Sequence, residues 1–358
     1  MLFLTSLSIV AFAITQNVFL VQANSLSNED FLKLQSRLKL FMLDNPEEKI
    51  VKYVRMSFHD LLNFDPSTNQ GGPHGCIAKQ PIINFDENKG LSEQVLELQT
   101  FVTDQFPNVN YTFGDVISLT GKVAVEMAYP CMKIKWRYGR SECSSTDEKA
   151  NGPSGKIDTM EKMQPFLNRY GLTGTEMAVL TAGAHGLAAA AADIENTGFG
   201  TFDFSDIYSG KDWIVKTFTN LWYAANSSQD NLQYQFNNTQ NYTTMRLPSD
   251  MVFFPDVISK VGQGIVDSSA IPIQQQLQKY ADEDRSSFDQ EFARVYSKML
   301  EIGVSHDSLT EFIDPEQEGV CQDTINFDIN TLHSSSLHRY SRNIIIYTVL
   351  YLFTIYML

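Results

Sequence analysis

The sequence predicts an all-α protein, and three observations support that fold class. Many segments carry apolar residues at three- and four-residue spacing, which is the repeat of an amphipathic helix. Capping signals precede two of these segments, at Thr173 with Glu176 and at Asp158 with Glu161. Long runs in which apolar and polar residues alternate, the pattern typical of strands, do not occur in the sequence.

The predicted helices follow one another along most of the chain. In order they are "EDFLKLQSRLKLFML", "EKIVKYVRMSFHDLL", "SEQVLELQTFVTDQF", "GDVISLTGKVAVEMA", "MQPFLNRYG", "MAVLTAGAHGLAAAAA" and "DQEFARVYSKMLEIG". Turns rich in Gly and Pro, such as "NQGGPHG" and "NGPSG", separate them. We therefore expect one large helical domain over residues 28–305 and a loose polar tail over residues 306–336.

Both ends of the chain carry apolar segments that predict targeting signals. The first 28 residues have no charged side chain, and small residues end the apolar run, which is typical of a secretory signal peptide over residues 1–23. The last apolar run follows three serines and a polar spacer, which is typical of a GPI-attachment signal over residues 337–358. The alternatives are an N-terminal membrane anchor and a short tail anchor. The prediction is a secreted protein, GPI-anchored at the outer cell surface.

The charge and the sequons limit the classes of partner. The net charge of −15 argues against nucleic acid or an anionic membrane surface as a partner. We expect a monomer whose only link to a membrane is the GPI anchor. Four Asn-X-Ser/Thr sequons predict N-glycosylation, and three of them lie in a polar stretch that we expect to be a surface loop. The four are Asn110, Asn226, Asn237 and Asn241.

Four cysteines predict two disulfides in an oxidising compartment. Three connectivities are possible. We prefer the local pair Cys131–Cys143, which leaves Cys76 with Cys321. The sequence contains no Cys-X-X-Cys spacing of the kind that binds metals.

Two polar side chains stand out in the second predicted helix. Arg55 and His59 are four residues apart, so they lie on one helix face, one turn apart. A neutral imidazole beside a permanent cation can take a proton from a small acidic molecule while the cation stabilises the anion. The alternative is an ordinary helix with a surface arginine and a partly buried histidine.

A second histidine lies in a helix made mostly of small residues. His185 is surrounded by Ala, Gly and Leu in "LTAGAHGLAAAAA", so a flat group could approach the helix closely. A lone imidazole in such a place is a candidate metal ligand, and its other nitrogen then needs an acceptor. Asp250 in "RLPSD" is a candidate for that acceptor. The alternatives are a core histidine and an ordinary N-cap aspartate.

Taken together, these motifs resemble the haem peroxidase superfamily of plants, fungi and bacteria. The distal motif of that family is similar to Arg55-Met56-Ser57-Phe58-His59, and "GGPHG" resembles the Gly-rich segment that follows it. "LTAGAH" resembles the proximal motif, "RLPSD" the segment with the aspartate partner, and "DQEFARVYSKMLEIGV" the closing helix. The order of the motifs agrees over about residues 28–305. The resemblance implies about ten helices in two lobes with haem b between them.

The resemblance also implies a role for each matching residue. His185 would be the axial ligand of the haem iron, and Asp250 would accept its Nδ1–H. His59 would take a proton from hydrogen peroxide and return it to the departing oxygen, and Arg55 would stabilise the developing charge. Asn88, in "NKGL", would orient His59.

Phe58 would stack over the haem. The expected reaction is reduction of hydrogen peroxide by small one-electron donors such as phenols. The alternatives are a catalytically idle haem-binding or adhesion protein and a catalase-like enzyme, although the latter needs a distal Trp where this chain has Phe58.

Some positions depart from the family pattern and mix features of its ascorbate/cytochrome c peroxidase-like and secretory branches. Asp60 could bind the distal calcium of the secreted members, but His74 stands where a second carboxylate is expected, so calcium is doubtful. Ile194 stands where ascorbate peroxidases have an arginine for ascorbate. No Trp occurs at 202–204, where cytochrome c peroxidases have a radical-bearing Trp.

Overall fold

The computed structural model describes residues 26–85, 88–130, 132–143, 152–187, 210–225, 232–237 and 243–315. Within these ranges the chain forms eleven α-helices and five short strands. The helices are α1 Asn28–Met42, α2 Pro46–His59, α3 Ser92–Gln105, α4 Phe113–Ala128, α5 Met160–Tyr170, α6 Gly174–Leu187, α7 Gly210–Thr219, α8 Pro248–Met251, α9 Pro255–Val261, α10 Ile271–Asp282 and α11 Arg285–Met299. The prediction of an all-α peroxidase-type fold is confirmed.

The helices form two groups. In the first, α4 is buried over most of its length and packs against α1 and α2. In the second, α6 lies at the centre and packs against α5, α7, α10 and α11. Contact between α2 and α6 joins the two groups. The helices that carry His59 and His185 therefore meet at the boundary between the two lobes.

Of the two predicted capping signals, one forms as predicted and the other is replaced by the neighbouring residue. The hydroxyl of Thr173 accepts from the Glu176 N–H at 3.1 Å, and the Glu176 carboxylate accepts from the Thr173 N–H at 2.9 Å, which is the predicted capping box. The cap of α5 is Thr159, which accepts from the Lys162 N–H at 3.3 Å, and not Asp158. This moves the predicted start of α5 by one residue.

The strands are short, and the sequence pattern does not show them. β2 Tyr223–Ala225, β3 Gln233–Asn237 and β4 Thr243–Arg246 form an antiparallel sheet in the order β2-β3-β4. Asn237, expected in a surface loop, lies in β3 and pairs with Thr243. Strands of three to five residues are too short to give a clear alternating pattern.

The folded domain extends past the predicted boundary at residue 305. β5 Thr310–Glu311 pairs antiparallel with β1 Arg137–Tyr138, and Phe312 is buried against Trp136. The carboxylate of Asp314 accepts from the fully buried ammonium of Lys122 at 3.1 Å. The first residues of the predicted polar tail are therefore part of the core, because a buried lysine requires a buried counter-charge.

The disulfide differs from the predicted pairing. Cys76 and Cys143 are bonded, with their Cα atoms 5.0 Å apart, so the preferred pairs Cys131–Cys143 and Cys76–Cys321 are wrong. The reason is tertiary: the loop that contains Cys76 folds against the segment after β1, where the Nδ1 of His74 lies 3.1 Å from the carbonyl oxygen of Ser141. Separation along the chain did not predict this contact.

Several predicted features lie outside the described residues. These are the signal peptide over 1–23, the GPI-attachment signal over 337–358, Cys131, Cys321, and the sequons at Asn226 and Asn241. Asn110 is described, and its side chain is exposed. Among the described helices, none combines the length and apolar character that a membrane crossing requires.

Candidate active site

α2 presents one face that the rest of the domain does not cover. Lys52, Arg55, Phe58 and His59 are half-buried, whereas the described residues between them are buried. Spacings of three and four residues place these side chains on one side of the helix. The sequence pattern therefore puts the cation and the imidazole on the open side of α2, and the apolar residues of the helix in the core.

A buried amide holds the ring of His59. Its Nδ1 lies 2.9 Å from the Oδ1 of Asn88, and the Nδ2 of Asn88 donates to the carbonyl oxygen of Ile82 at 2.8 Å. Since the amide oxygen can only accept, Nδ1 of His59 carries the proton and Nε2 keeps its lone pair. The Asn88 contact is the one that the sequence predicts.

The surroundings of His59 keep the ring neutral. Desolvation and the charge of Arg55 lower the pKa of His59 to about 3, and the hydrogen bond to Asn88 opposes this only in part. The neighbouring His185 also acts to lower the pKa of His59. At neutral pH His59 is therefore a proton acceptor and not a cation.

Arg55 is fixed one turn before His59. Its Nη1 donates to the carbonyl oxygen of Lys89 at 2.9 Å, on the same loop that carries Asn88. The short loop that contains Asn88 and Lys89 therefore positions both His59 and Arg55. The ring of Phe58 stands edge-on to the ring of His59, with centroids 6.0 Å apart and the planes at 75°.

The open face of α6 carries the second histidine. From Glu176 to Leu187 this helix is buried except at Thr181, Ala184 and His185, which lie on one side. The side chain of His185 is 42% exposed, and its Nδ1 lies 2.7 Å from the Oδ1 of Asp250. The residues around it are small, so a flat group can approach this face of the helix.

Asp250 is a buried acceptor whose two oxygens both have partners. Oδ1 faces His185, and Oδ2 accepts from the Leu247 N–H at 2.8 Å in the first turn of α8. Burial acts to raise the pKa of Asp250, but the charge and hydrogen bond of His185, the Leu247 N–H and Arg246 together lower it. Asp250 is therefore a carboxylate that polarises the Nδ1–H of His185 and leaves Nε2 as the donor atom.

These side chains fit a flat cofactor with a central metal. α2 and α6 contact each other, and the open face of each carries one of the two histidines. His185 could ligate a metal through Nε2, and His59 and Arg55 could act on a small molecule. The structure places Asn88 against His59, Asp250 against His185, and Arg55 one turn before His59.

A family model for peroxidases matches residues 34–261, which is more than half of the chain. The chain belongs to the peroxidase family. The match covers α2, α6 and α8, which carry the site, and it confirms the predicted family. It ends before α10 and α11, so the structure and not the family match defines the closing helix.

Named relatives of this peroxidase-family chain include two mitochondrial cytochrome c peroxidases. The one from Aspergillus fumigatus is 26% identical over 294 residues, covering 79% of this chain and 72% of the relative. The one from Emericella nidulans is 27% identical over 265 residues, covering 72% of this chain and 65% of the relative. A protein of Debaryomyces hansenii, named by inference as a heme-binding peroxidase, is 23% identical over 269 residues, covering 71% of this chain and 55% of the relative.

These relatives correct the predicted location. The cytochrome c peroxidases are named as mitochondrial, which contradicts the prediction of a secreted, GPI-anchored protein. The prediction rested on apolar, uncharged segments at the two ends. Targeting segments are recognised by specific receptors, and apolar composition alone does not show which receptor recognises a segment. The composition of the two ends therefore did not determine the compartment.

In this peroxidase-family chain, the carboxylate of Asp60 accepts hydrogen bonds from two backbone amides. Its Oδ2 accepts from the Gly75 N–H at 2.8 Å and its Oδ1 from the Ile77 N–H at 3.0 Å. Two backbone amides account for a buried carboxylate at this position. Within the described part of the chain, no group of three or more His, Cys, Asp or Glu side chains is placed to hold a metal ion.

The structure also shows site residues that the sequence did not reveal. Arg246 is buried between two rings, with its guanidinium carbon 4.1 Å from the centroid of Trp213 and 5.1 Å from that of Trp222. Its charge is one of those that lower the pKa of Asp250. Position next to "LPSD" was the only signal for Arg246. The carbonyl of Lys89 had none, because backbone acceptors carry no residue type.

Proposed function

We propose that the protein is a haem peroxidase that reduces hydrogen peroxide with electrons from small one-electron donors such as phenols. One observation carries the proposal. Two helices in contact, α2 and α6, carry a neutral histidine with an arginine one turn away (His59 and Arg55) and a histidine held by a buried carboxylate (His185 and Asp250). We infer that the open faces of the two helices border one shared space. Membership in the peroxidase family and the heme-binding name of one relative support haem as the cofactor.

Haem would be held by His185. Because Asp250 accepts from Nδ1, Nε2 is the nitrogen that is free to ligate the iron. Bound haem supplies the redox chemistry of the reaction, and the protein supplies ligation, geometry and charge. The buried carboxylate increases electron donation from the imidazole, which favours the more oxidised states of the iron.

His59 would move the proton. With Nδ1–H donated to Asn88, Nε2 can take one proton from hydrogen peroxide bound in the shared space. The same nitrogen then returns that proton to the distal oxygen, which leaves as water when the O–O bond breaks. A pKa of about 3 keeps His59 in the accepting form throughout the physiological range.

Arg55 would stabilise charge that develops as the O–O bond breaks. Its guanidinium cannot lose its proton at physiological pH, and the Lys89 carbonyl holds its Nη1 one turn before His59. A fixed cation in a water-poor site stabilises such charge without needing to reorganise.

Small donors are proposed on the basis of residues that the chain lacks. Two relatives are named cytochrome c peroxidases, and that donor is a property of those proteins. Residues 202–204 of this chain contain no Trp, and Ile194 stands at the expected ascorbate position. Both positions lie outside the described residues, so the argument uses their identity alone.

The proposal is tested by loading the protein with haem and measuring peroxide-dependent oxidation of a phenolic dye. We expect a ferric haem absorption band, dye oxidation with two dye radicals for each peroxide, and no oxygen at an oxygen electrode. His59→Ala should keep its haem and lose about 10²–10⁴-fold in rate. His306→Ala is the matched control, because His306 is exposed in a short turn after α11 and contacts Arg137, which is not part of the site.

Three outcomes would reject the proposal in different ways. A protein that binds haem but oxidises no donor would be an idle binder. Oxygen release without a donor would indicate a catalase-like reaction. Full activity in His59→Ala would remove the proposed proton acceptor.

A further inference from the structure

The closing helix α11 contacts both catalytic helices. From one face it reaches α2 through Tyr296 and α6 through Phe292. These two side chains are four residues apart, so they are neighbours on one side of α11, with ring centroids 5.6 Å apart. The two helices that carry the histidines therefore rest on the same turn of a third helix.

The contact with α2 is a buried hydrogen bond close to His59. The hydroxyls of Tyr296 and Ser57 lie 2.7 Å apart. Ser57 donates its own proton to the carbonyl oxygen of Val54 at 2.8 Å, so Tyr296 is the donor to Ser57. Gly121 of α4 leaves the space for this bond, since a Cβ there would lie 2.7 Å from the Tyr296 hydroxyl. Ser57 precedes His59 by two residues.

The contact with α6 is a close packing of a ring on a glycine. The ring of Phe292 lies directly against Gly183, where a Cβ would overlap it. Gly183 precedes His185 by two residues. Both Phe292 and Gly183 are buried, so neither can move without displacing its neighbours.

Ion pairs fix α11 along its axis. Arg294 and Lys298 contact the two oxygens of Glu176, each at 2.9 Å. Glu176 is buried in the first turn of α6, and its other bond is the capping contact with Thr173. This clamp ties α11 to the first turn of α6. The separation between the Tyr296 and Phe292 contacts is then set by one helical turn, about 5.4 Å.

We propose that Phe292 and Tyr296 are positioning residues, and that α11 is a spacer that sets the separation of His59 and His185. This inference rests on the proposed function, because the separation matters only if both histidines act on one cofactor. Neither aromatic side chain is proposed to touch the cofactor or the peroxide. Each acts through a small residue, Ser57 or Gly183, two positions before a histidine.

The α2 contact is tested by a double-mutant cycle in the haem-loaded protein. Ser57→Ala and Tyr296→Phe each remove one side of the same bond, so each should slow peroxide consumption in a single turnover about fivefold. The double variant should be no slower than the slower single variant. Ser297→Ala is the matched control, because its hydroxyl bonds only within α11, to the Ala293 carbonyl at 2.8 Å.

The α6 contact is tested by a clash and its relief. Gly183→Ala should push the Phe292 ring away by about 1 Å and slow the reaction by about 10²-fold. The double variant Gly183→Ala/Phe292→Leu should recover most of the rate, because the shorter side chain accommodates the new methyl group. If Gly183→Ala does not fold, the double variant still tests the same contact by its own rate.

Crystal structures of the variants give a readout that does not depend on activity. The distance between the Cα atoms of His59 and His185 should change in Gly183→Ala and return in the double variant. If Gly183→Ala is slowed while the distance between the two Cα atoms is unchanged, the spacer is overturned. It is also overturned if Ser57→Ala and Tyr296→Phe react at the wild-type rate, or if their rate losses multiply in the double variant. If the wild-type protein takes up haem but consumes no peroxide, the proposed function fails, and the distance still tests the spacer.

Discussion

Removing the side-chain amide of Asn88 should slow the peroxide reaction and also shift its pH dependence. Asn88→Ala deletes the acceptor 2.9 Å from the Nδ1 of His59. The ring then has an unpaired Nδ1–H in a desolvated site, which costs about 1–3 kcal/mol. To avoid this cost the ring can rotate or change its tautomer, and in both cases Nε2 no longer faces the shared space as an acceptor. A cost of that size corresponds to roughly a 5- to 150-fold lower rate on the pH plateau.

The pH dependence has a sign that the structure determines. His59 must be neutral to accept a proton, so the rate falls as the pH drops through the pKa of His59, which is about 3 in the intact site. The hydrogen bond to Asn88 acts to raise that pKa. Asn88→Ala therefore lowers the pKa, and the acid limb of the profile moves to lower pH while the plateau falls.

The assay is stopped-flow mixing of the haem-loaded protein with peroxide after a pH jump, so that the fold is exposed to acid only briefly. Asn84→Ala is the matched control, because Asn84 lies on the same loop, is exposed, and bonds only to the Gln80 side chain at 2.6 Å. An unchanged plateau in Asn88→Ala, or an acid limb that moves to higher pH, would refute this account of His59.

Three further predictions concern the stability of the fold that holds the site, each measured by denaturant unfolding. Cys76→Ser/Cys143→Ser should lose up to about 4 kcal/mol, because the disulfide closes a separation of 67 residues; a loss under about 1 kcal/mol would show that the bond is not formed in solution. Lys122→Met should lose about 3–5 kcal/mol, since the buried Asp314 carboxylate is left without its counter-charge; an unchanged midpoint would contradict a folded residue 314. Burial acts to raise the pKa of Glu176, but Thr173, Lys298 and Arg294 lower it to about 2. The contribution of Glu176 to the free energy of unfolding is therefore complete above about pH 4.5 and is lost as the pH falls through about 2. Glu176→Gln should remove that pH dependence, and an unaltered acid unfolding curve would count against the clamp.

The part of the site that the sequence predicts is the part that local pattern determines. Arg55 and His59 lie on one face because they are four residues apart in an amphipathic helix, and the structure places them so. His185 and Asp250 are 65 positions apart, and their contact was predicted through the motif resemblance and not through spacing. Asn88 was also predicted through the resemblance, and its contact with His59 joins residues 29 positions apart.

The features that the sequence missed depend on contacts between distant segments. The Ser57–Tyr296 bond joins residues 239 positions apart, and the Asp314–Lys122 pair joins residues 192 apart. Sequence patterns carry no information on such pairings. The Cys76–Cys143 bond was missed for the same reason, because a preference for the local pair ignores the folding of the loop.

We propose that His59 accepts the peroxide proton in a haem site ligated by His185. A single-turnover measurement of the peroxide reaction tests this role of His59. Haem-loaded wild type, His59→Ala and His306→Ala are each mixed with one equivalent of hydrogen peroxide, and the second-order rate constant is taken from the change in haem absorption. We expect equal haem content in all three proteins, equal rates for wild type and His306→Ala, and a rate about 10²–10⁴-fold lower for His59→Ala. A His59→Ala rate equal to that of wild type, with haem retained, would contradict it.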